Sequence, residues 1–339
     1  MREAPPVLVV IPTLDEAAHV GRLLDWLGPR LPGLRARLVV ADGGSTDGTR
    51  EIVAARAAGL PGVALLFNPQ RLQSAAVNLA VERHAGEGTR WLLRVDAHAE
   101  YPPDFCEVLL AEGERTGADA VAVSMTAHGQ GFWQRAIALA QNSRFGNGGS
   151  AHRSASEGRW VEHGHHALMR LDAFREVGGY DPAFSHNEDA ELDLRLRAAG
   201  RRIWLTGRTG VRYLPRATPG ALARQYWRFG RGRARTMLKH RRRPGPRQAV
   251  VIALAPLLLL ALLAPLHGAW GLPLALWLLA CLAGGVLIAR TAPPGALGAA
   301  LAAGPLAGLM QAAWSGGFWA EVLSRAAGRR AAGRREAGA

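Results

Sequence analysis

The stretch ARLVVADGGSTDGTREIVAARAAG (Ala36 to Gly59) reads as one structural unit. An apolar, valine-rich run ends in an aspartate, a glycine-rich turn follows, and an alanine-rich helix opens with Ser, Thr and Asp. The same unit recurs on both sides. VLVVIP (Val7 to Pro12) is a strand that leads to a helical pattern from Ala17 to Leu27. VALLFNP (Val63 to Pro69) is another strand, with the helix LQSAAVNLAVERHAG behind it, and RWLLRVDAH (Arg90 to His98) is a fourth strand. Strands that alternate with helices predict an α/β fold with a mostly parallel sheet covered on both faces. Ligands bind such sheets at the C-terminal strand ends. Thr13, Asp15, Asp42 and Asp96 end these strands and so share one rim.

The turn DGGSTDGT (Asp42 to Thr49) resembles a phosphate loop but has neither the G-x-G-x-x-G spacing nor a Walker lysine. Helix capping and turn chemistry account for Ser45, Asp47 and Gly48. Asp42 differs: a carboxylate at a buried strand tip, beside glycines, is placed to accept hydrogen bonds from a base or sugar. The fourth strand poses a separate question. In WLLRVDAHAEYPPDF (Trp91 to Phe105), Asp96 and His98 suit a metal site and equally suit two solvated loop residues.

Charge and hydropathy divide the chain. Of 339 residues, none between Leu194 and Ala320 is acidic, so the net charge of +14 gathers toward the C-terminus. The runs at 248–267 and 270–289 carry no charged residue and are long enough to cross a bilayer as helices. A third, at 296–323, is weaker, rich in Gly and broken by Pro305. The expected organisation is an α/β domain over 1–223, a basic and aromatic interfacial segment over 224–247, a membrane region over 248–323 and an arginine-rich tail over 324–339. The beginning, MREAPPVLVVIP, is too short and too strand-like for a signal peptide. Basic residues Lys239 to Arg247 precede the first span and more follow the last, which places both on the cytoplasmic side. Two spans satisfy that rule; the third segment is then re-entrant, interfacial, or a span that breaks it. Cys106 and Cys281 lie far apart, as in a reducing compartment without a disulfide framework.

The motifs VVIPTLDEAAHVGRLLDWL, VVADGGSTDGT, LLRVDAHAEYP and NEDAELDLRLRAAG, in this order and followed by apolar spans, resemble the family 2 glycosyltransferases of GT-A fold. Further matches, through VEHGHHALMRLDAFREVGGYDPAFSH and RQYWRFGRGRARTMLKHRRR, are similar to the ExoA-like branch that serves succinoglycan-type exopolysaccharide synthesis. The resemblance runs from about Pro6 to Arg247.

It implies roles by position. Pro12, Thr13 and Glu16 match the first nucleotide-binding loop, and Asp42 the residue that contacts uracil of a UDP-sugar. Asp96-Ala97-His98 stands where the family has D-x-D, so Asp96 is expected to ligate a divalent cation across the donor diphosphate. His98 replaces the usual second acid, either as a nitrogen ligand or as a donor to phosphate. Because Mn²⁺ tolerates imidazole better than Mg²⁺, Mn²⁺ is expected to be at least as effective. Glu188 and Asp189 match the Glu-Asp motif, with Asp189 as the base. Acids in a first helical turn are also favoured by the macrodipole alone. Of His163, His165 and His166, one is expected to reach the diphosphate or metal, with His165 and His166 equal candidates. His152 and Arg153, in a flexible loop, could meet phosphate. Gln225, Arg228 and Phe229 match a Q-x-x-R-aromatic pattern that helps hold the acceptor, and their basic and aromatic setting suits a membrane surface.

The expected activity is an inverting, metal-dependent transfer of a hexose. The donor would be a nucleotide sugar, UDP-glucose first, and the acceptor a polyprenyl-diphosphate-linked sugar, with a β-1,3 linkage implied by the branch. The setting is the cytoplasmic face of a bacterial inner membrane, among lipids and with possible polysaccharide-assembly partners. The alternative is a membrane-anchored metallohydrolase using Asp96, His98 and the histidine cluster. A nucleic-acid partner is disfavoured because the basic residues adjoin spans.

Overall fold

A computed structural model of the chain describes residues 6–149 and 157–336. His152 and Arg153 lie outside the described residues. The chain forms two compact units, Met1–Thr126 with Ala151–Tyr213, and Ala127–Ser150 with Leu214–Ala339.

In the first unit the opening repeats are β1 (Val7–Thr13), α1 (Ala17–Leu27), α2 (Leu31–Leu34), β2 (Ala36–Asp42), α3 (Thr49–Ala57), β3 (Val63–Phe67), α4 (Gln73–His84) and β4 (Trp91–Arg94). There follow β5 (Ala99–Glu100), α5 (Phe105–Thr116) and β6 (Ala120–Ala127). After α6 (Phe132–Asn142) and α7 (Arg144–Asn147), which belong to the second unit, come β7 (Arg159–Val161), β8 (His165–Arg170), α8 (Leu171–Glu176), α9 (Glu188–Ala198) and β9 (Ile203–Tyr213).

The strands make one sheet in the order β3-β2-β1-β4-β8-β6-β9-β5, with β7 paired to β9. The first four strands are parallel, as the alternating pattern predicts, and the later ones add antiparallel pairs such as β4 with β8 and β8 with β6. Side chains of a strand alternate between faces. Val7, Val9 and Ile11 therefore enter one core with Leu24 of α1 and Phe105 and Leu109 of α5. Leu8 and Val10 enter the opposite core with Val77 of α4, Phe174 of α8 and Leu192 of α9. Register aligns the strand ends. Thr13 sits opposite Asp42, and Asp42 opposite Phe67. Val10 sits opposite Arg94, so Asp96, two residues on, reaches the level of Pro12.

The second unit holds α6, α7, α10 (Pro219–Lys239), α11 (Pro246–Leu259), α12 (Leu272–Ala289) and α13 (Leu297–Glu336). Its boundaries differ from a cut at residue 223. Helix α6 turns Ala136, Ile137 and Ala140 into one core with Leu222 of α10 and Ala300, Ala303 and Met310 of α13. Three helical segments, Pro246–Leu263, Gly268–Ala289 and Leu297–Ala327, are long and apolar enough to cross a membrane. Pro256 lies inside α11, and a proline has no N–H for the carbonyl four residues back. That carbonyl, of Ile252, is met instead by Ser315 Oγ at 3.0 Å and Trp319 Nε1 at 2.8 Å from α13. Such re-satisfaction by a neighbouring helix lets a proline persist in an apolar span.

Candidate active site

The β1–α1 and β2–α3 loops are stitched together by side chains from DGGSTDGT. Backbone N–H groups of Asp15, Glu16 and Ala17 donate to Ser45 Oγ, Thr49 Oγ1 and Asp47 Oδ2 at 2.8, 2.8 and 2.9 Å. Ser45 is therefore taken up by the first loop and by Asp42 rather than by capping α3, whereas Asp47 also accepts from the Thr49 N–H at the start of α3. Gly48 takes φ +97°, a left-handed conformation open to glycine. Asp42 is 1% exposed. Its Oδ1 accepts from the N–H of Gly44 and Ser45, and its Oδ2 from Thr13 Oγ1 and Ser45 Oγ. A carboxylate offers about four acceptor sites. A ligand donor could bond Asp42 when the Thr13 or Ser45 hydroxyl rotates away.

Asp96 lies just past β4. Its Oδ1 accepts from Gln73 Nε2, at the start of α4, at 3.0 Å. Its N–H donates to the Tyr101 hydroxyl, which donates back to the Asp96 carbonyl. Burial raises the Asp96 pKa, but the charges of Arg94 and His165 outweigh it and hold the carboxyl well below the usual range. His98 is more open and places Nδ1 2.8 Å from Glu16 Oε1. That contact joins two residues expected at the donor site.

Asp189 enters from the first turn of α9. Arg94, whose side chain is 2% exposed, grips it with both arms of the guanidinium, Nη1 to Oδ1 at 2.8 Å and Nη2 to Oδ2 at 3.2 Å. The Tyr180 hydroxyl accepts from Arg94 Nη1 and donates to Asp189 Oδ1 at 2.8 Å. Asn78 of α4 fixes Tyr180 by bonding both its backbone N–H and carbonyl. Arg94 Nε also lies 3.6 Å from Asp96. His165 bridges the same two acids, with Nε2 3.5 Å from Asp96 Oδ2 and Nδ1 3.6 Å from Asp189 Oδ2. Burial would raise the Asp189 pKa, yet Arg94 and His165 hold it well below the ordinary value of 3.8. Glu188 moves oppositely, pushed up to about 7 by burial and by the Asp189 charge. The adjacent acids are therefore driven apart, one fixed ionised and one titrating near neutrality.

The histidine pair separates by strand alternation. His165 faces Asp96 and Asp189, whereas His166 is fully buried and pairs with Asp193, one turn beyond Asp189. His163 Nδ1 meets the other Asp193 oxygen at 2.5 Å. Burial opposes a charge on His166, but the Asp193 carboxylate raises its pKa above 6.5. Gln225, Arg228 and Phe229 lie on α10 of the second unit. Arg228 is exposed, Gln225 Oε1 is buried with no hydrogen-bond partner among the described residues, and Phe229 packs its ring against Tyr226.

Sequence reasoning missed Arg94, Tyr180, Gln73 and Asn78. One signal was available for Arg94. An arginine inside the apolar run WLLRV, two residues before Asp96, points to the same sheet face as that acid.

Among the described residues no group of three or more His, Cys, Asp or Glu is placed to hold a metal ion. A cation here would rest on Asp96 and take its remaining ligands from a bound diphosphate, which suits a hard ion that keeps few protein ligands.

Residues 8–178 match the family model "Glycosyl transferase family 2". The chain is 52% identical over 320 residues to the succinoglycan biosynthesis protein ExoA of Rhizobium meliloti (strain 1021), covering 93% of this chain and 94% of that one. Among solved structures it is similar to the mannosyltransferase PcManGT from Pyrobaculum calidifontis, determined in complex with GDP-Man and Mn²⁺. That likeness has a TM-score of 0.55 at 22% identity, covers 95% of this chain and 88% of the other, and carries the GT-A fold.

Proposed function

We propose that this chain, which belongs to glycosyl transferase family 2 and is a glycosyltransferase, is an inverting, divalent-cation-dependent hexosyltransferase of succinoglycan-type exopolysaccharide synthesis. It takes a hexose from a nucleotide sugar, UDP-glucose first, and adds it, in β-1,3 linkage, to a polyprenyl-diphosphate-linked sugar. The apolar helices hold it in the bacterial inner membrane with the catalytic unit on the cytoplasmic face. The observation that carries this reading is the joining of Asp96 and Asp189 through Arg94 and His165 at the C-terminal rim of the sheet.

The stitched loops bearing Pro12, Thr13, Glu16 and Asp42 receive the nucleotide. A bound Mn²⁺ or Mg²⁺ would stabilise the departing nucleoside diphosphate, with Asp96 as its hard oxygen ligand. His98 lies at the same rim and would offer an imidazole to that cation or to phosphate. Asp189 takes the proton of the acceptor hydroxyl as that oxygen attacks the anomeric carbon. Arg94 and Tyr180 aim the carboxylate and keep it ionised. One base and direct displacement invert the anomeric centre, and no covalent intermediate is required. Gln225, Arg228 and Phe229 of α10 carry the Q-x-x-R-aromatic pattern by which the family resemblance assigns them to the acceptor. The hydrolase alternative needs two metals bridged by carboxylates, and nothing in the described site favours it.

The test uses detergent-purified protein, Mn²⁺ and a short-chain polyprenyl-diphosphate galactose. UDP-glucose, UDP-galactose, UDP-N-acetylglucosamine and GDP-mannose are offered separately, and product mass is read. One hexose added from one UDP donor, and abolished by chelator, supports the reading. Donor-independent phosphate release overturns it in favour of hydrolysis.

A further inference from the structure

Helix α13 is long and apolar enough to cross a membrane, and the helices beside it bear on whether it does. A helix apolar all round is either a span or a buried element. Near its start, a Cβ on Gly298 would touch the ring of Phe132, the first residue of α6. Farther along, a Cβ on Gly146 would meet both Ala140 of α6 and Met310 of α13. Helix α6 therefore flanks α13 from about Gly298 to Met310. Helix α10 flanks the next stretch. Its Leu222 shares a core with Met310. A Cβ on Gly230 would collide with the Trp314 carbonyl, and one on Gly317 with the Trp227 carbonyl. Arg231 and Arg235 reach Glu321 at 2.9 and 2.7 Å. The two helices thus run side by side in the same direction, Leu222 beside Met310 and Arg235 beside Glu321.

Both companions carry arginine on their open sides. Arg135 of α6 and Arg224 and Arg228 of α10 are exposed. A spanning helix needs about 20 residues within the hydrocarbon. From Gly298 to Glu321 the side of α13 is taken by α6 or α10, so a crossing α13 would draw these exposed guanidinium groups into lipid. Charged side chains there are costly, and those that occur face a bundle interior or water. The outward apolar surface of α13 is narrow. Leu297, Leu301 and Pro305, spaced by four, are exposed on one face. Exposed Trp133 of α6 and Trp227 of α10 carry indoles suited to the membrane–water boundary.

We propose that α13 lies in the plane of the membrane and does not cross it. Leu297, Leu301 and Pro305 turn to the acyl chains of one phospholipid leaflet, and α6 and α10 cover α13 on the aqueous side. A single interfacial helix carries its own polar face; here α6 and α10 supply the face that α13 lacks. The crossings are then α11, with its extension to Leu263, and α12. Two crossings leave Lys239 to Arg247, the turn at 290–296 and the arginine-rich tail on one side, as the positive-inside rule asks of their basic residues. That this side is the cytoplasmic one rests on the reading above. That the three segments share a side does not.

The experiment labels the full chain with a membrane-impermeant maleimide, in right-side-out and in inverted membrane vesicles. The native cysteines, Cys106 and Cys281, are buried, so the native chain serves as the unlabelled background. Single variants are Arg243→Cys, before α11; Leu266→Cys, between α11 and α12; Thr291→Cys, between α12 and α13; and Ala339→Cys, in the tail. Elution from detergent as the same single species as the native chain reports that each is folded. The expected result is that Arg243→Cys, Thr291→Cys and Ala339→Cys take label from one face and lose it from the other, while Leu266→Cys does the reverse. Label at Thr291→Cys and Ala339→Cys from opposite faces overturns the inference, because α13 would then cross. Leu266→Cys labelled from the same face as Arg243→Cys also overturns it, because α11 and α12 would not. The readout is separate from the transfer reaction. If the three shared sites take label from the outer face, the cytoplasmic placement fails and the in-plane helix stands.

Discussion

Replacing Arg94 by glutamine removes the cation that faces Asp189 through two hydrogen bonds and Asp96 at 3.6 Å. The guanidinium is almost wholly buried, so solvent will not replace it. Breaking one side of a buried ion pair costs about 3–5 kcal/mol, a large part of the ~5–15 kcal/mol that holds a typical domain folded. Asp189 would then feel burial without its main counter-charge, and its pKa would climb from well below 3.8. The sign follows. In the native chain the carboxylate's stabilising contribution is present above the unfolded value near 3.8 and is lost only as pH falls through the lower folded value. In the variant the loss begins at higher pH, and the acid limb of kcat moves upward with it. A base displaced by about 1 Å costs roughly 10²-fold in rate, so kcat should fall by about that factor while the KM for UDP-glucose changes far less. Arg94→Lys keeps a charge but not the fork, and should recover part of the rate. Asp189→Asn combined with Arg94→Gln should cost less stability than the two changes summed, because removing both partners leaves no orphaned charge. The assay is kcat and KM against pH from about 5 to 9, beside thermal melting. An Arg94→Gln protein with kcat within about threefold of native and an unmoved acid limb would refute the reasoning, since hydrogen-bond geometry of this kind should control the base.

Asp42→Ala strips the acceptor from four donors of the stitched loops. At about 1–3 kcal/mol for a buried group left unsatisfied, melting temperature should drop and UDP affinity should weaken at least tenfold, read by calorimetry. For His166 the pKa is raised above 6.5 by Asp193 against the pull of burial. Its ion pair therefore stabilises fully below pH 6.5 and fades as pH rises through the folded value. The melting-temperature gap between the native chain and His166→Asn should be widest near pH 6, about half a unit below the ordinary histidine value, and should narrow on the alkaline side. A gap that widens with pH would contradict the pairing.

Much of this architecture is legible before any coordinates. The runs ending at Thr13, Asp42 and Arg94 alternate small apolar residues on both faces, and that pattern alone implies parallel strands with helices on each side. The antiparallel half of the sheet was less readable, because β7 has three residues and β5 only two. Helix α6 carries a polar face like any surface helix, so nothing local shows that Ala136 and Ile137 pack in the second unit. At the site, acids stand out because charges at strand ends are conspicuous. Their partners do not: Arg94 and Tyr180 meet Asp189 across 95 and 9 positions, and only the fold brings them together. The choice between His165 and His166 was open for a similar reason. Strand alternation predicts that they face opposite ways, but not which way leads to Asp96.

The central claim is that Asp189 acts on the acceptor's proton and not in donor binding. The direct measurement compares Asp189→Asn with the native chain in Mn²⁺, following UDP-glucose binding by calorimetry and hexose transfer by product mass. Donor affinity should stay within a few-fold of native and transfer should slow by about 10²–10⁴, the range of a lost general base. Transfer that persists in the variant within about tenfold of native would contradict it, and would make the neighbouring acid Glu188 the base to test instead.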